Sequence, residues 1–64
     1  MTRGEILAFM NGDTAARYDG ERYYFDCVDG DGALVMREIN TDYMHRVPDW
    51  RRALKSRAYT AIGW

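Results

Sequence analysis

Apolar and polar positions alternate most clearly between Arg22 and Ile39, and the rest of the chain reads as cover for that stretch. Arg22-Tyr23-Tyr24-Phe25-Asp26-Cys27-Val28 and Ala33-Leu34-Val35-Met36-Arg37-Glu38-Ile39 are rich in aromatic and branched side chains, which favour a pleated, half-buried surface. Asp29-Gly30-Asp31-Gly32 separates them, and its glycines accept the positive φ of a reversing loop. A four-residue loop pairs Val28 with Ala33, Cys27 with Leu34, Phe25 with Met36 and Tyr24 with Arg37. Side chains alternate across a strand, so Tyr23, Phe25, Cys27, Leu34 and Met36 share one face, which the pattern predicts as the core. The opposite face carries Tyr24, Asp26, Val28, Ala33, Val35, Arg37 and Ile39 and is mixed rather than polar.

The segments on either side supply further elements. Thr2-Arg3-Gly4-Glu5 has the spacing of a capping box, and Ile6, Leu7, Phe9 and Met10 form an apolar stripe that Asn11-Gly12 stops. The pattern predicts a helix over residues 3–11, packed on the Phe25/Leu34/Met36 face. Thr14 to Tyr18 reads as a strand, and Asp19-Gly20 is a strong hairpin signal. A two-residue loop there sets Arg17 opposite Arg22 and a three-residue loop sets it beside Tyr23, so the register stays open. Residues 40–47 read as a short strand or an irregular crossing. Pro48 to Ser56 reads as a helix, with proline in its first turn and cations near its end. Residues 58–64 alternate weakly, as a final strand does. The fold class is α+β: an antiparallel sheet of three or four strands, an N-terminal helix on one face and a short C-terminal helix.

Length makes this a single domain, residues 1–64, with a marginal core. Cys27 is the only cysteine, so no internal disulfide forms, and a lone strand cysteine is most often a small core residue. One Cys and one His do not make a zinc site. No leader, lipidation motif or spanning stretch is evident, and the chain reads as cytoplasmic. Charge is segregated. Residues 1–42 hold nine acids against four arginines, net −5, and residues 43–64 hold five cations against Asp49, net +4. Such asymmetry marks an interaction face, or a basic end that neighbours the acidic one in the fold.

No catalytic constellation emerges. An EF-hand starting at Asp29 needs an acid or Asn at 33, Gly at 34 and Glu at 40, where Ala33, Leu34 and Asn40 stand. His45 has no nucleophile in a recognised motif, and Gly30 and Gly32 precede no helix. The expectation is therefore no enzyme, no cofactor and no metal. Two surfaces remain as candidates. The first is the mixed face, with Tyr24, Asp26, Val35, Arg37 and Ile39 as a partner or dimer interface unless the C-terminal helix covers it. The second is the basic face of Arg51, Arg52 and Lys55, which with Tyr43, Trp50 and Tyr59 nearby also suits nucleic acid.

The run Glu5-Ile6-Leu7-Ala8-Phe9-Met10-Asn11-Gly12, continued through Tyr24-Phe25, resembles the opening of small phage Thoeris anti-defence proteins, which sequester cyclic nucleotide-like signals. The resemblance covers about the first 25 residues, and Tyr18-Asp19-Gly20 stands where that family has a tryptophan. A broader similarity, in size and acidity, is to the compact inhibitors of phages and mobile elements, anti-CRISPR proteins included. The resemblance implies a non-enzymatic antagonist that docks on a host defence protein or complex, in the cytoplasm of a bacterial host. Nucleic-acid binding, capture of a cyclic nucleotide-like signal and homodimerisation are the other expectations.

Overall fold

A computed structural model describes all residues, Met1–Trp64. Helix α1 spans Arg3–Met10, and its capping box is closed: Glu5 N donates to Thr2 Oγ1 at 3.1 Å and Thr2 N to Glu5 Oε1 at 2.8 Å. Asn11 is the C-cap, and Gly12 takes φ 85°, the left-handed turn that glycine accepts without a Cβ penalty. Ile6 and Phe9, on one stripe, are buried.

Five strands follow: β1 Ala15–Tyr18, β2 Glu21–Val28, β3 Leu34–Glu38, β4 Met44–Val47 and, after a short helix α2 at Trp50–Ala53, β5 Tyr59–Ile62. They form one antiparallel sheet in the order β4-β3-β2-β1-β5. The chain is thus a four-strand meander whose last strand returns to the free edge of β1. Both open segments, 40–47 and 58–64, contribute a strand, so the sheet has one more than the upper expectation. No helix is long and apolar enough to cross a membrane.

Turn chemistry sets the first register. Asp19 and Gly20 have φ 52° and 79°, both positive as a type I′ turn requires, and Tyr18 faces Glu21. Arg17 consequently sits opposite Arg22. Both are exposed, so water screens their repulsion and the turn geometry prevails.

The second hairpin departs from the expected pairing. Phe25 faces Met36 and Tyr24 faces Arg37 as the pattern predicts, but a bulge at Asp26 shifts the remainder, so that Cys27 faces Val35 and Val28 faces Leu34. One extra residue on β2 turns Cys27 out of the core face, and it is exposed. The loop is accordingly five residues, Asp29 to Ala33. Asp29 Oδ1 accepts from the backbone N–H groups of Asp31 and Ala33, both at 3.0 Å, and Gly32 takes φ 83°. Arg46 on β4 reaches Asp29 Oδ2 at 2.7 Å and Asp31 Oδ2 at 3.3 Å, which offsets one of the two negative charges of the loop.

Both helical segments lie on one side of the sheet. Phe9, Leu34, Met36 and Leu54 are fully enclosed, and Ile6, Ala16, Tyr23, Val47 and Tyr59 complete the core around them. Phe9 meets Phe25 edge to face, centroids 6.0 Å apart. Hydrogen bonds of the i→i−3 kind carry the turn of α2 on through Ser56, so it is shorter than the expected 48–56 helix, and Leu54 at its end plugs the core. Since α2 joins α1 there, the three-layer arrangement does not form and the second sheet face carries no helix.

The sheet is also strongly curled. His45 on β4 and Tyr59 on β5 belong to opposite edges, yet His45 Nε2 lies 3.0 Å from Tyr59 Oη. The edges approach through side chains, with no backbone ladder between them.

Candidate protein-interaction site

Three of the five residues singled out on the second face already have polar partners within the chain. Tyr24 donates its hydroxyl to Asp42 Oδ1 at 2.6 Å, Arg37 pairs with Asp26 at 2.9 Å, and a second Arg37 nitrogen donates to the Asp42 carbonyl at 3.2 Å. Asp42 has φ 62°, a left-handed conformation that aspartate tolerates but does not prefer. Tyr24 and Arg37 therefore pin the β3–β4 turn. The Asp42 hydrogen bond holds the Tyr24 hydroxyl above its ordinary titration range, and the Asp26 hydrogen bond raises Arg37. Val35 is only 4% exposed. It lies between Cys27 and Arg46 in register, and the Arg46 stem runs along this face on its way to Asp29. Ile39 is half-buried, and its N–H donates to the Arg22 carbonyl.

The predicted basic face divides. Arg52 turns to Asp49, an exposed pair at 3.7 Å. Arg51 places its guanidinium 4.4 Å from the centroid of the Trp50 ring, a cation–π contact. Arg51 and Lys55 then line a cleft of about 320 Å³ together with Trp50 and three residues of α1: Arg3, Ile6 and Leu7. Arg3 and Leu7 stand four residues apart on one helix face, which is why they share this wall. Trp50 is fixed by its indole N–H, which donates to the Gly32 carbonyl at 3.2 Å.

The cleft joins an apolar floor to a cationic rim. Leu7 is 58% exposed, large for a leucine beside a tryptophan. The ion pairs of this chain engage Arg37, Arg46 and Arg52, so Arg3, Arg51 and Lys55 have no carboxylate partner. Such a surface accepts a ligand that is apolar at its centre and anionic at its edge. Sequence reasoning found Arg51 and Lys55 but missed Arg3 and Leu7. The stripe holding Leu7 was read wholly as core cover, Arg3 entered only as part of the capping-box spacing, and the packing of α1 beside α2 leaves no mark in periodicity.

A second group of side chains gathers at the other end of the sheet. The Tyr18 ring stacks on His45 and on Tyr59, each at 4.6 Å between centroids, with Tyr23 alongside at 6.3 Å from Tyr18. Burial pushes His45 below its ordinary pKa and raises Tyr59, as it does Tyr23. The imidazole Nε2 shares a hydrogen bond with the Tyr59 hydroxyl.

Comparison with family models, with curated proteins and with solved structures finds no match to this chain.

Proposed function

We propose that this chain is a non-enzymatic binding protein that receives an acidic, apolar-centred segment of a larger protein in the cleft between α1 and α2. The observation that carries this reading is the conjunction of three unpaired cations, Arg3, Arg51 and Lys55, with the open apolar surface of Leu7 and Trp50. Tryptophan and arginine are the residues on which interface energy concentrates, and a cationic rim speeds the encounter with an acidic partner. The resemblance of the opening residues to phage anti-defence proteins makes a bacterial defence complex, met in the host cytoplasm, the first partner to try. In that setting the chain acts as an inhibitor by occupancy.

The test is a titration of the protein with a glutamate-rich peptide carrying leucine and phenylalanine, followed by tryptophan fluorescence. Binding that Arg51→Glu weakens at least tenfold and Leu7→Ser also weakens is the expected result. DNA, RNA and cyclic nucleotides are run beside it. Binding of DNA or RNA alone, collapsing steeply as salt rises, replaces the reading with nucleic-acid recognition. A stoichiometric complex with a cyclic nucleotide replaces it with signal capture.

Self-association is a second reading, favoured by a specific feature. Neither helix covers the second sheet face, and Met44 is exposed on its β4 edge opposite Arg37.

A further inference from the structure

At the end of the sheet away from Trp50 and Gly32 lies another cleft, of about 510 Å³, bounded by Glu21, Tyr23, Glu38, Asn40, Thr41 and Tyr43. Strand register builds it. Tyr23 on β2 is opposite Glu38 on β3, Glu21 starts β2 beside the Asp19-Gly20 turn, and Tyr43 leads into β4. No arginine, lysine or histidine lines it.

Two of these groups are deeply set and incompletely partnered. Glu38 is only 6% exposed, the one charged residue in the buried set. Its Oε2 accepts from Asn40 N, and no cation pairs with it. Burying a carboxylate is costly unless an opposite charge offsets the lost hydration. Tyr23 is 5% exposed, and its hydroxyl has no protein hydrogen-bond partner. The only fully enclosed side-chain polar atom without a partner is Thr14 Oγ1, so the Tyr23 hydroxyl opens to solvent, and it does so through this cleft. The hydroxyl titrates above its ordinary value, first because of burial and then because Glu21 and Glu38 stand near it. Tyr43, 65% exposed, forms an outer aromatic wall.

We propose that the cleft formed by Glu21, Tyr23, Glu38 and Tyr43 receives a basic side chain, lysine or arginine, presented by a partner protein. The donor set selects the ligand. No group of three or more His, Cys, Asp or Glu side chains converges to hold a metal ion. Two carboxylates with two phenol rings instead suit an organic cation on an apolar stem: the head donates to Glu38, Glu21 and the Tyr23 hydroxyl, and the stem lies along Tyr43. The site is separate from the α1/α2 cleft, so the chain presents an acidic pocket at one end of its sheet and a basic one at the other. A partner with a basic side chain spaced from an acidic, apolar segment engages both.

The test uses the full chain and NMR shifts of the Tyr23 and Tyr43 rings. The probes are the blocked tripeptides Ac-Gly-Lys-Gly-NH2 and Ac-Gly-Arg-Gly-NH2, the first with its lysine acetylated, butylamine, and calcium chloride. Saturable shifts with the two charged peptides are expected, absent with the acetylated one and at least tenfold weaker in Glu38→Gln and Tyr43→Ala. Tyr43 is on the surface, so its variant keeps the test decisive if Glu38→Gln fails to fold. Three results overturn the proposal: butylamine binding as tightly as the peptides, which assigns a free amine; calcium displacing them, which assigns a metal; and no shift with any probe.

Discussion

Tyr18 and His45 lie ring on ring, centroids 4.6 Å apart and 20° from parallel, although β1 and β4 are separated in the sheet by β2 and β3. The stack, with the hydrogen bond between His45 and Tyr59, is the seam that holds the curled sheet together.

That seam sets an acid limit. In the unfolded chain the imidazole titrates near its ordinary value of about 6.5, and burial lowers it in the fold. The unfolded state therefore binds more protons in this window, and stability falls as pH drops from about 6.5 through the depressed folded value. Tyr18, Tyr23 and Tyr59 face the ring, and no carboxylate adjoins it to offset the charge. The melting temperature is expected to be lower at pH 5 than at pH 7.5. His45→Phe, which keeps the stack and removes the chain's only histidine, flattens that limb. An unchanged pH profile in the variant removes His45 as its cause.

Cys27 reports on the bulge. Its thiol is expected to react fully with Ellman's reagent in the native protein, at a rate that mild denaturant does not raise. Deleting Asp26 removes the extra residue and leaves Cys27 directly after Phe25, opposite Val35 on the second face, so the deletion variant, where folded, should keep a reactive thiol. A native wild-type thiol that is protected contradicts the register of β2 after Phe25.

Leu54→Ala truncates one of the four largest fully enclosed side chains of a small core. Such substitutions cost about 2–5 kcal/mol. Against a total of roughly 5–15 kcal/mol, the melting temperature should fall by about 10 °C or more. A loss under ~3 °C by calorimetry contradicts the placement of α2 against the core.

Self-pairing has a measurable consequence at one position. If two chains meet across the second face, Met44→Glu lowers the apparent mass in sedimentation at high concentration and leaves the monomer's melting unchanged. Wild type that sediments as a monomer at all concentrations ends the dimer reading.

Local signals transmitted much of this architecture. The capping box at Thr2 and Glu5, the Asp19-Gly20 turn and the pairing of Phe25 with Met36 all rest on contacts between residues near in sequence, and each was readable. The bulge was not, because Asp26 fits an alternating pattern with or without an extra residue. Nor was the return of β5 to β1, since Tyr59 to Ile62 carries no mark naming its partner. The candidate surfaces divide in the same way. Arg51 and Lys55 were evident as charge, but that Tyr24 and Arg37 both bond to Asp42 depends on how the β3–β4 turn folds back beside β2.

The strand order also bears on how the chain reaches this state. β1 lies between β2 and β5, so Ala15 waits for Ile62, and the earliest strand keeps an unpaired edge until the last one docks. Pairings between chain ends close the largest loops and slow the search, so the rate-limiting step should engage β5 after the β1–β4 meander has assembled. During that interval the exposed β1 edge is open to a strand from another molecule. Crowded synthesis of this chain thus carries an aggregation hazard at the β1 edge that ends once β5 has docked there.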